Sequence, residues 1–396
     1  MSWQWRFLLI SILSIMAAIA TGEMVLAKFH PQETLNFDIG QSPACFAKSD
    51  LLPFELKKDT TCYFRQEEFS HSVRINSQGF RGKELEKEKP AETLRILTVG
   101  DSFTFGHGVS DEQTYSAVLE NILRDQGENV EIINGGYASG FSPDSYYLFL
   151  KEKGLALKPD LVVMGFFVWN DISDLAETQW VDVDTGGLPK RIESRLRTVD
   201  NFGHLQFVKP RKRFQIPILR NSHLFQLIYS YKSSFFDRLI TGFDKNSNFD
   251  PEKEATSIYD ECIFIESCFP KYENEWQKVR KVIGATGDLL NKNGTKFLVL
   301  IIPTKEQAAE SLCCGWEKLT EGETTGVNKK LEEFLTSKNI AFIDLLDKFK
   351  DVDSSKLYFD YDAHWKTAGH DLAAHIIADF LKEKPDYRNL FSKTNP

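Results

Sequence analysis

The sequence has no excess of positive charge. Across 396 residues Asp and Glu outnumber Lys and Arg 57 to 48, for a formal net charge of −9. That balance argues against a dedicated nucleic-acid binder. Cys-x-x-Cys and His-x-x-x-His spacings are missing, so the usual zinc frameworks have no support. The G-x-G-x-x-G turn that brings backbone against a pyrophosphate is missing too; the first apolar strand runs instead into Gly100-Asp-Ser-Phe-Thr-Phe-Gly106. There is no internal repeat and no low-complexity tract. No metal or organic cofactor is implied.

What is present is an apolar complement of 42%, enough for one large α/β domain with insertions or for two modest domains. The N-terminus, Met1-Ser-Trp-Gln-Trp-Arg6, precedes a nearly unbroken apolar run from Phe7 to Ala20. Ala18-Ile19-Ala20 fits a small-x-small cleavage site, but Met24-Val-Leu-Ala27 extends the run past Glu23. A cleaved signal peptide and a retained membrane anchor over 1–27 both remain open. No cysteine follows that would carry a lipid. Either reading exports the rest of the chain to the cell envelope or beyond. Six cysteines suit that compartment, and the local pairings expected are Cys45 with Cys62 and Cys262 with Cys268; adjacent Cys313 and Cys314 are not expected to pair with each other.

Beyond an extension over 28–90, apolar strands alternate with helical spacing. Strands are expected at Arg95–Val99, Val130–Ile133, Leu161–Phe167, Phe297–Ile302 and Ala341–Leu345, with helices over Gln113–Gln126, Asp144–Lys153 and Thr367–Leu381. The class implied is α/β, with a parallel sheet covered on both faces and ligands beyond the carboxyl ends of its strands. The rhythm breaks between Asp174 and about Tyr272. The halves of the domain are therefore set at 91–174 and 273–396 around an insertion over 175–272, a possible lid or membrane-proximal element. That insertion carries nine Lys/Arg between Pro189 and Arg220, against Glu193 and Asp200, and then the apolar stretch from His223 to Phe236. The basic stretch reads as a solvated loop or as a patch for anionic headgroups or an acidic polymer.

Ser102 stands at a strand-to-helix turn, where a hydroxyl is exposed beside the free N–H groups of a helix start. A serine needs a base, and a histidine oriented by a carboxylate is the common solution. Of eight histidines His364 is the candidate, with Asp362 two residues before it; Asp360 competes as the orienting carboxylate. His107 is a rival base close to Ser102, while His370 and His375 fall in the last helical pattern and are expected to be structural or surface residues. Acyl transfer also needs oxyanion donors. Gly135, Gly136 and Gly140 follow the second strand, and Asn170-Asp171 follows the third. Glycines and asparagines in such places also build plain turns. Their order along one sheet is what gives them weight, since all would converge on one edge.

The blocks Gly100-Asp101-Ser102-Phe103, Gly140, Asn170-Asp171 and Asp362-x-His364-Trp365 resemble those of the SGNH/GDSL hydrolase superfamily. Phe103 stands where the family often has Leu. The spacing from Asn134 to Gly140 is one residue longer than usual, which keeps Gly136 open, and Val168 replaces the glycine of the third block. The shortened Asp-x-His form is similar to the branch of alginate-type O-acetyltransferases and acetyl esterases. The resemblance covers roughly 91–174 and 295–383. It implies a flavodoxin-like three-layer α/β/α fold with a central parallel five-stranded sheet. It further implies catalytic Ser102, His364 and Asp362, with Gly140 and Asn170 binding the oxyanion. The expected activity is a serine esterase acting on a small-molecule or polysaccharide acyl ester. Transfer of the acyl group to an envelope polysaccharide is the alternative, and a non-catalytic envelope binding module is the reading from another class.

Overall fold

The computed structural model describes residues 3–32, 34, 43–66, 68–86, 88–138, 140–208, 212–214, 216, 218–243, 263–264, 266–309 and 324–392. Its centre is a sheet of five strands: β1 (Leu94–Gly100), β2 (Val130–Gly136), β3 (Leu161–Phe167), β4 (Lys296–Ile302) and β5 (Ala341–Asp344). All pair in parallel in the order β2-β1-β3-β4-β5. This is the flavodoxin-like order, whose topological switch lies between β1 and β3.

Strand alternation divides the apolar side chains between two cores. Leu97, Val99, Val162, Met164, Val299 and Ile301 face one layer, where α2 (Pro143–Glu152), α3 (Asn170–Glu177), α4 (Glu273–Lys292) and α5 (Gly326–Ser337) pack. Ile96, Ile132, Val163, Leu298 and Leu300 face the other, against α1 (Tyr115–Asp125) and α6 (Thr367–Glu383). Both faces are covered, so β3 and β4 read as continuous apolar runs rather than alternating ones, while β1 and β2 carry the buried pair Arg95–Glu131. The three-layer α/β/α class follows directly. β2 is longer than the sequence reading gave it, because Asn134, Gly135 and Gly136 pair with Thr98, Val99 and Gly100.

Residues before the sheet do not form a separate body. Thr60–Arg65 and Ser70–Ile75 make an antiparallel hairpin, and a Cys45–Cys62 disulfide ties it to the preceding segment. Arg81 then bridges to Asn134 at the edge of β2. After α3 the chain forms a second hairpin, Thr178–Val183 with Pro189–Ser194, then a short ribbon, Arg197–Val199 with Leu205–Phe207. A helix, His223–Phe243, follows and bends at Lys232. Cys262, Cys313 and Cys314, and the side chain of Cys268, lie outside the described residues. The N-terminal helix runs from Trp3 to Phe29 with no buried residue, and it is long and apolar enough to cross a membrane.

Candidate active site

The carboxyl end of β1 passes into a four-residue helix, Ser102–Phe105, so tightly that side chains are excluded from two positions. A Cβ on Gly100 would lie 2.1 Å from Thr104 Oγ1, and one on Gly136 would lie 2.3 Å from the Phe105 amide nitrogen. Glycine at each lets the neighbouring strand ends close around the serine turn. Asp101 caps the helix, its Oδ1 accepting the Phe103 N–H at 3.0 Å. It is wholly buried, and burial raises its pKa to about 6 against the opposing hydrogen bonds of Phe103 and Asn170 and the charge of His364.

Ser102 Oγ lies 2.7 Å from His364 Nε2, and His364 Nδ1 lies 2.5 Å from Asp362 Oδ1. Two short helices, Leu346–Lys350 and Ser354–Leu357, separate this loop from β5, and a bridge between Tyr358 and Trp365 closes its base. Ala363 adopts a left-handed φ of 63°, which turns the chain between the acid and the imidazole. Burial works to raise the Asp362 pKa, but the hydrogen bond and charge of His364 outweigh it, so the group is held below the ordinary carboxylate range. Asp360, the competing carboxylate, faces Lys305 and Lys366 at 3.8 and 3.9 Å and takes no part in the relay. His370 is buried, accepting the Tyr115 N–H at Nδ1, and His375 sits on the outer face of α6 beside Asp371.

His107 is closer to the relay than the sequence suggests. Its Nε2 is 3.9 Å from Asp362 Oδ2, and its ring centroid is 4.7 Å from that of His364. The Asp362 carboxylate thus lies between two imidazoles. Burial and the neighbouring His364 drive the His107 pKa down to about 3, so the ring is neutral near pH 7. His107 does not approach the Ser102 hydroxyl as a base; it is a second neighbour of the orienting acid. The three groups hold nitrogen and oxygen atoms within 4.8 Å of one another, a spacing a cation could bridge. Asp362 and His364 already satisfy one another, however, and the donor set reads as a hydrogen-bonded relay.

Two residues of the N-terminal extension hold the two catalytic-type loops, and sequence reading missed both. Glu68 accepts the backbone N–H groups of Asp360, Tyr361 and Asp362 at 2.6, 2.8 and 2.8 Å. Arg81 donates to the carbonyls of Phe105, Gly106 and Val109 and to Asp111 Oδ1, all within 2.8 Å, and so fixes the turn that leads from Ser102 past His107. Neither residue has a motif around it. The only available signal was charge in a segment otherwise rich in turn residues.

A cleft of about 600 Å³ opens over the relay. Ser102, His364, Gly140 and Asn170 all line it. Gly136 does not; it is used in the close packing described above. Gly140 has φ of 61°, and a Cβ there would strike Arg197 at 2.4 Å. Asn170 opens α3, and its carbonyl Oδ1 is buried without a hydrogen-bond partner. Its neighbour Asp171 holds the turn, accepting from the Phe167 N–H and the Tyr146 hydroxyl. The walls of the cleft come from elsewhere: Phe46, Phe64 and Arg65 from the extension, Arg197, Leu205 and Phe207 from the ribbon after α3.

A parallel 2-1-3-4-5 sheet with serine, histidine and acid meeting at its carboxyl edge is the arrangement that the resemblance to the SGNH/GDSL superfamily implies. More narrowly, residues 264–395, a third of the chain, match the family model described as the SGNH hydrolase-like domain of acetyltransferase AlgX. No curated protein matches the sequence. Among solved structures, the chain is similar to a lipase/acylhydrolase from Enterococcus faecalis, with 13% identity, TM-score 0.38, and coverage of 73% of this chain and 95% of that one. It is likewise similar to the acetyl xylan esterase AlAXEase, with 12% identity, TM-score 0.38, and coverage of 72% and 98%. Axe2, an acetylxylan esterase from Geobacillus stearothermophilus, overlaps with 10% identity, TM-score 0.38, and coverage of 72% and 92%.

Proposed function

We propose that this protein is a serine enzyme acting on acyl esters, with Ser102 as nucleophile, His364 as general base and acid, and Asp362 as the group that orients the ring. The observation that carries the reading is the continuous path from Ser102 Oγ through both nitrogens of His364 to Asp362 Oδ1, in two contacts of 2.7 and 2.5 Å. A base within this reach of a hydroxyl takes its proton as the new bond forms. Ser102 Oγ attacks the ester carbonyl carbon, and His364 Nε2 receives the Ser102 proton. The oxyanion is stabilised by the N–H groups of Ser102 and Gly140 and by the Asn170 amide. The bond to the alkoxy oxygen then breaks, His364 returns the proton to that oxygen, and an acyl-serine remains. Water attacks the acyl carbon in the second half as His364 accepts its proton; the bond to Ser102 Oγ then breaks, His364 returns the proton to that oxygen, and the acid leaves.

A second reading keeps the first half-reaction and replaces water with a sugar hydroxyl. It is favoured by the match of residues 264–395 to the acetyltransferase AlgX domain. The mixed walls of the cleft, aromatic rings beside Arg65 and Arg197, suit a carbohydrate acceptor as well as an acyl donor. The experiment is turnover of a short-chain aryl acetate against long-chain aryl esters, followed by product analysis with a labelled acetyl donor in the presence and absence of oligosaccharides. Aryl alcohol released together with free labelled acetate supports hydrolysis. Label recovered on the oligosaccharide supports transfer. No turnover of any ester by the full chain contradicts both.

A further inference from the structure

The insertion holds one apolar surface that the acyl-ester reading does not use. Helix His223–Phe243 buries Phe225 and Tyr229 against Ile216 and Leu219, so one side of it has a small core of its own. Its other side exposes Ile228, Tyr231, Phe235 and Leu239, with Tyr231 79% and Phe235 62% accessible. Ile228 and Tyr231 precede the bend at Lys232, and Phe235 and Leu239 follow it; spacings of three and four residues put each pair on one side of its own helical segment. Lys232 and Arg238 lie on the same exposed helix, and exposed Arg220 precedes it.

What this surface faces is indicated by where the helix begins. Glu23, near the end of the N-terminal apolar helix, accepts the His223 N–H at 2.5 Å, the Leu224 N–H at 3.0 Å and the Ser222 hydroxyl at 2.9 Å. Gln32 N–H donates to His223 Nδ1 at 2.9 Å. The one acidic residue that interrupts the apolar run is thus occupied as the cap of another helix. A helix from Trp3 to Phe29 is about 40 Å long, whereas the hydrocarbon core of a bilayer is about 30 Å thick. With Arg6 at one boundary, Glu23 to Lys28 fall at the other, which fixes the start of His223–Phe243 at headgroup level.

We propose that the N-terminal helix is a retained membrane anchor and that helix His223–Phe243 lies in the lipid headgroup region beside it, with Ile228, Tyr231, Phe235 and Leu239 facing the acyl chains. The occupant of this apolar surface is the bilayer that holds the anchor. An interfacial helix of this kind has an apolar face in the acyl boundary and cations reaching back to phosphate. The placement is independent of the chemistry at Ser102. It brings the domain against the membrane at the insertion.

The test uses the full chain in vesicles of phosphatidylethanolamine and phosphatidylglycerol, with a photo-crosslinking benzoyl-phenylalanine at position 231 or 235. Position 202 is the control, since Phe202 is 74% accessible and lies in the turn of the wall ribbon. Irradiation is expected to give lipid adducts at 231 and 235 about five-fold or more above position 202, as for an interfacial face. Intact mass is expected to retain the residues of the N-terminal helix. Lipid yields equal to the control, adducts to a second copy of the chain instead of lipid, or a mature chain cleaved after Ala20 would each overturn the proposal. Because the crosslinker lies away from the relay, ester turnover measured on the same samples reads the function of Ser102 separately.

Discussion

The carboxyl edge of the sheet and the walls above it are built by different rules. On the edge, each group stands where a strand ends: Ser102 after β1, Gly140 after β2, Asn170 after β3, and the Asp362–His364 loop beyond β5. Strand pairing sets their positions, and dry packing on both faces holds that pairing. The walls come from the hairpin over Thr60–Arg65 and Ser70–Ile75 and from the ribbon after α3, which lie outside the parallel sheet and are joined to its core by a disulfide and by apolar side chains such as Val73, Ile75 and Val199. The difference separates chemistry from selectivity. On the proposed reading, the edge carries what an acyl-transfer site needs, and the walls select the ester. Glu68 and Arg81 blur the division in one instructive way, since wall residues hold the loops of the edge in place.

Substitutions can break that comparison, in order of expected effect. Ser102→Ala removes the proposed nucleophile and is expected to lower kcat for an aryl acetate by on the order of 10⁴-fold or more, measured by aryl alcohol release. A loss below ten-fold would remove the edge from the chemistry. Glu68→Gln keeps shape but weakens the acceptor for three N–H groups of the Asp362 loop. The expected outcome is a fall in kcat of about 10- to 100-fold with KM little changed, because small misplacements of catalytic groups are costly. An effect on KM alone would make Glu68 a binding residue rather than a positioning one. Cys45→Ser opens a cross-link spanning 17 positions, expected to cost about 3 kcal/mol of stability in denaturant unfolding while leaving most of kcat in the folded fraction. Equal losses in both would show that edge and walls are one unit.

A change of pH tests the buried groups together. His71, His107 and His370 are held neutral, with pKa values lowered to about 4, 3 and 3 chiefly by burial. The unfolded chain protonates these rings near pH 6.5. Stability is therefore fully present above about 6.5 and falls as pH drops toward 4, by up to about 1.4 kcal/mol per pH unit for each ring. Asp101, raised to about 6, works the other way between pH 6 and about 4, because the folded state binds its proton first. Asp362, held low, adds stability that is lost only as pH falls through its depressed pKa. Burial raises Asp171 and Asp344 as well, and both oppose the rings as Asp101 does, so the contribution of the rings is read by removing one of them. His71→Phe is expected to flatten the slope, and an unchanged slope would show that His71 titrates normally.

The parts legible in the sequence are those with a repeating pattern or a motif. β3 and β4 are apolar at nearly every position because the sheet is buried on both sides, and that pattern survives without any tertiary knowledge. Ser102, Asp362 and His364 could be picked out because chemistry limits which residues act as nucleophile, base and orienting acid. Glu68 and Arg81 could not, since a charged side chain in a polar hairpin looks the same whether it faces water or three backbone amides. His107 was visible only as a rival base, because chain proximity to Ser102 says nothing of the carboxylate approaching from residue 362. Gly136 and Gly140 were separable only by coordinates: one is crowded by the Phe105 backbone, the other opens on the cleft beneath Arg197.

The most direct measurement is covalent labelling of the full chain with a fluorophosphonate, followed by peptide mass mapping. The adduct is expected on Ser102 alone, absent in Ser102→Ala, and slowed at least about 10³-fold in His364→Ala, where the base is missing. Labelling of Ser102→Ala at the wild-type rate, or of His364→Ala without any slowing, would contradict the relay.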